Sequence, residues 1–375
     1  MKKQILPLLL LLPLVTLSGC VQTNPDVNIG KPEVDYSAKE MFSNIKLGYN
    51  IGNTLDAHPG FNNYKFTPQG VGTENSWGNP TITKEYVHYI KECGFDSIRL
   101  PVTWYPHVDS NWKIEDAWMN RVKEVVDYCV DEELPVILNL HHDTGVDGWL
   151  KATEDDTRQD QELVQLNTLW EQIADTFKDY DVHDLMFEGF NEMIDDEGDW
   201  NTPSNKSIDF INEANQAFVD TVRASGGNND ERILLCVTYA GTNYGNMLSR
   251  FKIPQDTVHG AIAFEVHAYT PWEFCDGQTD SYDQGSIIGA MDNVYNMFKG
   301  TDIPVIIGEF GAVFTRGDYN KRVEWADFYA KTAYERNISL YLWDDNGDFK
   351  LIDRDKNSNN FSLKHQDFLD ALLQK

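Results

Sequence analysis

The sequence predicts a single α/β domain, a (β/α)8 TIM barrel, on three observations. Eight short apolar, strand-like runs alternate with amphipathic helical patterns between about residue 38 and residue 375. Strict βαβ alternation implies parallel strands, because each crossover returns the chain to the same end of the sheet. Eight such units in a domain of this size favour closure into a barrel over an open doubly wound sheet. No GxGxxG opens the first βα turn, which counts against a dinucleotide fold.

The expected strands are "LGYNIGN", "FDSIRL", "PVILNL", "DLMFEGFNE", "RILLCVT", "GAIAFEVHAY", "IPVIIGEF" and "SLYLWD". Helical patterns lie between them. "TITKEYVHYIKECG" starts with a Thr cap and stops at Gly94. "EDAWMNRVKEVVDYCVDEE" sets Trp118, Val122, Val125, Val126 and Cys129 on one stripe. "DQELVQLNTLWEQIADTFKD", "DFINEANQAFVDTVRASG", "SIIGAMDNVYNMFKG" and "KRVEWADFYAKTAYERN" follow, and "KHQDFLDALLQ" closes the chain. "NYGNMLSRFK" is the weakest helical pattern. The acidic runs "EDDTRQDQE" and "DDEGD" read as solvated loops, and neither has the spacing of a calcium loop.

The chain before the domain reads as a targeting segment. "MKKQ" is positive, "ILPLLLLLPLVTL" is apolar but short and interrupted by proline, and "LSGC" resembles a bacterial lipobox ending in Cys20. Residues 1–19 are therefore expected to be a lipoprotein signal peptide, with Cys20 as the lipidated residue; an ordinary signal peptide with a chance cysteine is the alternative. Residues 20–37 are polar with two prolines and read as a flexible tether. The expected location is an exported bacterial lipoprotein at the cell surface, outer membrane or periplasmic face. Membrane contact would come through the lipid alone, and the domain is expected to be a monomer.

A net charge of −29 sets nucleic acid and anionic lipid aside as partners, and suits a neutral substrate. Cys93, Cys129, Cys236 and Cys275 show no CxxC or Cys/His zinc spacing and read as buried free thiols.

In a barrel of this kind the carboxyl ends of the strands share one pocket. Those ends carry Asn53, Arg99, His141 and His142, Asn191 with Glu192, His267 with Tyr269, Glu309, and Trp343. A polar core does not need so many reactive side chains at one rim. Trp77, Trp149 and Trp272 fall on βα loops, where each is either a stacking platform for a ligand or a plain loop anchor. Trp112, Trp118, Trp170 and Trp325 read as core.

Together, "GYNIGNTLDA", "WGNPTIT", "DSIRLPVTW", "NLHHD", "FNE", "HAY", "GEFG" and "WDDNG" resemble glycoside hydrolase family 5, in its cellulase-like part with endoglucanases and xyloglucanases. The resemblance covers the whole domain. It implies retaining hydrolysis of a β-linked polysaccharide or oligosaccharide, endo-β-1,4-glucan first, without cofactor or metal. It also implies that Glu192 is the general acid/base, Glu309 the nucleophile, and Arg99, His141, Asn191, His267, Tyr269 and Trp343 their support. Glu192 is then expected to hold the higher pKa of the pair. Asn53, His142, Trp343, Trp77, Trp149 and Trp272 are the expected substrate contacts. Three positions depart from the family pattern: Tyr49 stands where Trp is frequent, Met193 where Pro is common, and Asp344 in "WDDNG" where the family has "WWDNG".

Other readings remain. A xyloglucanase or β-mannanase of the same family shares every motif. A noncatalytic glycan-binding lipoprotein has no reason to keep both Glu192 and Glu309. A metallohydrolase built on His141, His142, Asp143 and His267 lacks HxH and HExxH, and neighbouring histidines on a strand point to opposite faces.

Overall fold

The computed structural model describes residues 34–60, 66–355, 358 and 360–375. Cys20 and the predicted signal segment lie outside the described residues. Eight strands form the barrel: β1 (Leu47–Ile51), β2 (Ser97–Leu100), β3 (Val136–Asn139), β4 (Leu185–Glu188), β5 (Leu234–Val237), β6 (Ile262–His267), β7 (Val305–Phe310) and β8 (Ser339–Asp344). Each pairs with the next in parallel, and β8 closes on β1 through Leu47–Leu340 to Ile51–Asp344. The closed barrel is therefore the predicted one.

The helices are α1 (Ala38–Asn44), α2 (Lys84–Cys93), α3 (Asp116–Asp131), α4 (Asp156–Phe177), α5 (Asn205–Ala224), α6 (Gly245–Ser249), α7 (Trp272–Cys275), α8 (Gln284–Phe298), α9 (Tyr319–Tyr334) and α10 (Gln366–Leu372). Local chemistry explains their ends. Thr83 caps α2, and Gly94 ends it in the left-handed region at φ 97°. The stripe read on α3 is fully buried. A hairpin of β9 (Ile352–Arg354) and β10 (Phe361–Leu363) follows β8 and was not expected.

Two sequence expectations need correction. "EDDTRQDQE" is not a loop but the opening of α4, because Asp155 caps the helix by accepting from the amides of Thr157 and Arg158. Acidic residues favour that end of a helix dipole. Glu162 in that run is buried, and burial pushes its carboxyl up to about 7. The apolar run "DLMFEGFNE" also stops pairing as strand at Glu188, so Asn191 and Glu192 lie on the segment beyond β4.

The barrel interior changes character from bottom to top. At the bottom, Met41, Phe42 and Ile45 of and after α1 pack on Ile137, Met186, Leu235, Ala263, Ile306 and Tyr341. Residues 34–37, read as the end of a tether, already hydrogen-bond to the domain: the Val34 amide donates to the His259 carbonyl at 3.2 Å, and Ser37 caps α1. Two residues further up β3, β4 and β6 the same inward columns turn polar: Asn139, Glu188 and Glu265 follow Ile137, Met186 and Ala263. The columns on β3 and β6 next reach His141 and His267. All four expected free thiols are unpaired; three are buried and Cys93 is half-buried.

Candidate active site

Arg99 of β2 is the hub of the upper barrel. Its guanidinium is fully buried, which is tolerable only because its donors are met. Nε and Nη2 each donate to Glu188 at 2.7 Å. Nη1 donates to Glu309 Oε1 at 2.7 Å and to Asn50 Oδ1 at 2.9 Å, and Nη2 to Asn191 Oδ1 at 2.8 Å. Asn50 in turn donates to the Gly308 carbonyl at 2.9 Å, tying the segment before Glu309 to β1.

Glu309 is met on both oxygens, since the Tyr269 hydroxyl donates to Oε2 at 3.0 Å. Burial pushes its carboxyl up, while His267 and Arg99 pull it back. Donors on both oxygens favour the ionised form. Burial and the two carboxylates Glu309 and Glu192 push the Tyr269 hydroxyl well above its ordinary value, so it stays a donor. His267 Nδ1 lies 2.7 Å from Glu192 Oε1 and 3.6 Å from Glu309 Oε2. A ring nitrogen of His267 and one carboxylate oxygen each of Glu192 and Glu309 all lie within 4.8 Å of one another.

His141 lies just past β3, with Nε2 3.9 Å from Glu309 Oε1. Burial and the nearby cations hold its ring well below the ordinary histidine value, hence neutral. Its ring stacks on Trp343 with centroids 5.6 Å apart and planes 8° from parallel. His142 does not point to the opposite face from His141: the strand ends at Asn139, and the two rings meet edge to face at 4.6 Å. His142 Nε2 stands 3.4 Å from Asp56 Oδ2. The four residues weighed as a metal set do not converge, because Asp143 accepts from the Trp104 and Tyr105 amides and from Trp149 Nε1.

The expected sugar contacts divide. Trp77, His58 and His142 form one aromatic group with centroids 5.0 to 5.5 Å apart. With Asn191, Glu192 and Trp200 they line a cavity of about 770 Å³. Trp272 is 55% exposed and stands edge-on to Tyr269. Trp149 is fixed within its loop, its indole N–H donating to Asp143 at 2.8 Å and its ring packing on Trp112, and Trp77 likewise donates to the His58 carbonyl at 2.8 Å. Trp112 is only half-buried, unlike the other three tryptophans read as core. Asn53 sits after β1 at φ 55°, where its carbonyl accepts from Asn79 at 2.9 Å. Asn79 also donates to the Gly52 and Asp345 carbonyls, which gives "WGNP" its task of joining the β1 and β8 loops.

The departures from the family pattern have structural positions. Asp344 points away from the rim: its carboxylate accepts from the amides of Asn346, Leu351 and Ile352. It also faces Tyr49, whose hydroxyl pairs with Tyr86 at 2.8 Å, and Arg354 lies over Tyr86. Two of the departures therefore meet in one buried cluster, and neither residue lines the cavity. Met193 is buried, and its carbonyl accepts from Ala240.

Sequence reading missed Asn50, Asn139, Glu188, Glu265, His58 and Trp200. A period-two step back from the recognised His141 and His267 would have reached Asn139 and Glu265, and Asn139 pairs with Glu188 in register.

Residues 61–348 match the model of the family described as Cellulase (glycosyl hydrolase family 5). Endoglucanase A of Clostridium longisporum is 37% identical over 320 residues, covering 83% of this chain and 60% of that relative. The chain thus spans less than two thirds of that relative's length. A GH5-4 broad specificity endoglucanase from Ruminococcus champanellensis, solved with bound cellotriose, is 34% identical with a TM-score of 0.83, covering 91% of this chain and 99% of its own. A family 5 glycoside hydrolase from Prevotella bryantii B14, solved as a mutant with a xyloglucan tetradecasaccharide, is 32% identical with a TM-score of 0.81 over 91% and 99% of the two chains. Because the family model matches well over half of the sequence and the barrel agrees with it, the chain belongs to glycosyl hydrolase family 5.

Proposed function

We propose that the protein hydrolyses β-1,4-linked glucan at internal bonds with retention of configuration, Glu309 acting as nucleophile and Glu192 as acid and then base. One observation carries this reading: an oxygen of Glu192 and an oxygen of Glu309 approach within 4.8 Å. Retaining enzymes hold their carboxyls about 5–5.5 Å apart, whereas inverting ones leave about 6.5–9.5 Å for a water between them.

In the first step a Glu309 oxygen attacks the anomeric carbon. The glycosidic bond breaks, and the leaving oxygen takes the proton of Glu192. In the second, Glu192 takes a proton from water; the resulting hydroxide bonds to the anomeric carbon and Glu309 leaves as carboxylate. Arg99 and Tyr269 hold Glu309 for attack. Asn191 gives its carbonyl oxygen to Arg99, so its NH2 is turned to donate to the sugar 2-hydroxyl. Trp343, backed by His141, offers its face to a pyranose ring.

The names of the relatives support endo action on glucan, and the xyloglucan-bound neighbour favours branched glucan as the second reading. Initial rates on carboxymethylcellulose, barley β-glucan, xyloglucan and mannan, measured side by side, test the choice. Mannan as the best substrate would refute it. The lipobox reading of Cys20 supports display of the enzyme on a lipid-anchored tether.

A further inference from the structure

Four glutamates surround Arg99 and His267, and the reaction above uses two. Glu188 is held by Arg99 through both oxygens. Glu265 of β6 is not satisfied in this way. It is fully buried, and neither of its oxygens has an aligned hydrogen-bond donor among the described residues. A buried carboxylate left so is costly and calls for a reason.

The backbone makes room for it. Val266 pairs with Ile307 but His267 with Glu309, so β7 carries an extra residue against β6; it carries one against β8 as well. Bulges of this kind re-aim side chains beside active sites. The extra residue opposite β6 is Gly308, and a Cβ there would lie 1.9 Å from Glu265 Oε1. The glycine of "GEF" and the Glu265 carboxylate share one space.

That carboxylate faces His267. Its Oε1 is 3.1 Å from Nε2, close but bent away from hydrogen-bond alignment. Across the ring, Nδ1 faces Glu192 and Glu309. A neutral imidazole has one N–H and one lone pair. Three carboxylate oxygens thus lie 2.7, 3.1 and 3.6 Å from the ring nitrogens, and so much negative charge favours protons on both. Opposing this are Arg99 from β2, with Nη2 3.5 Å from Nε2, and the more distant His141 past β3. Tyr269 contributes a neutral hydroxyl. Burial also disfavours the charged ring, but Glu309, Glu265 and Glu192 outweigh it and leave His267 well above its ordinary value.

We propose that Glu265 is a positioning residue for the hydrolysis, the counter-ion that keeps His267 an imidazolium and so fixes its Nδ1–H on Glu192. A fixed donor on Glu192 Oε1 leaves Oε2 to carry the proton to the leaving oxygen. The proposal rests on the acid/base role of Glu192.

The near-isosteric E265Q removes the charge. The His267 ring is followed by ¹⁵N NMR from about pH 5 to about pH 9, alongside the pH profile of kcat/KM. The wild-type ring should stay charged across that range, and the E265Q ring should titrate within it. The alkaline limb of the profile should move down by about one pH unit, so that kcat/KM falls about tenfold on that limb, with KM little changed. A ring that stays charged in E265Q overturns the proposal. So does a ring titration that shifts while the pH profile does not, because the ion pair would then be structural only. Should E265Q not fold, the double variant G308A/E265S, which trades volume between the two positions, is measured for the same two shifts. The Glu192 assignment fails separately, if Glu192→Ala slows glycosides of good and poor leaving groups alike.

Discussion

Replacing Arg99 by Met keeps much of the side chain's length and removes its charge and all its donors. The structure gives the size of the effect. Glu188 loses two contacts of 2.7 Å, Glu309 loses one of 2.7 Å, and the amides of Asn50 and Asn191 lose theirs. Removing one partner of a buried ion pair costs about 3–5 kcal/mol, and two carboxylates are stranded here, so the upper end applies. For a domain this large, about 2 °C per kcal/mol gives a fall in Tm of roughly 10 °C at neutral pH. The pH dependence is the more specific signature. Burial already raises the Glu188 and Glu309 carboxyls, and Arg99 opposes that rise. Without Arg99 both folded-state values lie further above those of the unfolded chain, so the fold favours the protonated acids. The deficit should be full above those raised values and shrink as the pH falls through them toward the ordinary carboxylate range. Calorimetry of wild type and Arg99→Met across pH measures this. A Tm loss below about 2 °C, the equivalent of ~1 kcal/mol, or a loss that does not change with pH, would refute the reasoning.

Other predictions follow from the same geometry. Asp344→Ala strips acceptors from three amides, two of them buried at about 1–3 kcal/mol each, so Tm should drop well before catalysis on small glycosides does; unchanged stability in urea unfolding would contradict it. Glu309→Ala should lose nearly all turnover, and azide should then give an inverted glycosyl azide, whereas Glu192→Ala with a dinitrophenyl glycoside and azide should give a retained one. Product configuration by NMR separates the two roles, and the same product from both variants would undo them. Cys20→Ala should release the protein from the membrane fraction while activity persists; unchanged fractionation on immunoblots would rule out lipidation.

The barrel was legible because eight short, largely apolar runs alternate with helical stripes, and a closed parallel sheet under helices requires that pattern. Glu192 and Glu309 were legible as strand-end residues, although Glu192 lies past the paired part of β4. Glu188 and Glu265 were not, since a carboxylate inside an apolar run has no meaning until closure shows which face looks inward. The start of α4 is hidden in the sequence because a run of acidic residues has the composition of a solvated loop, whereas Asp155 caps the helix and Glu162 is buried. His141 and His142 were placed on opposite faces by strand geometry that ends two residues too early for them. Trp149 and Trp77 carry the same sequence signal, and each has its indole N–H held by a protein oxygen; only the packing separates them, Trp77 on the cavity wall and Trp149 against Trp112.

The central claim is a double displacement through Glu309, and the anomer first released tests it most directly. Rapid ¹H NMR during hydrolysis of a cello-oligosaccharide by the wild type reads that anomer before mutarotation. The β-anomer should appear first and the α-anomer grow in only as the sugar equilibrates. First release of the α-anomer would mean a single displacement by water, and would contradict the roles given to both carboxylates.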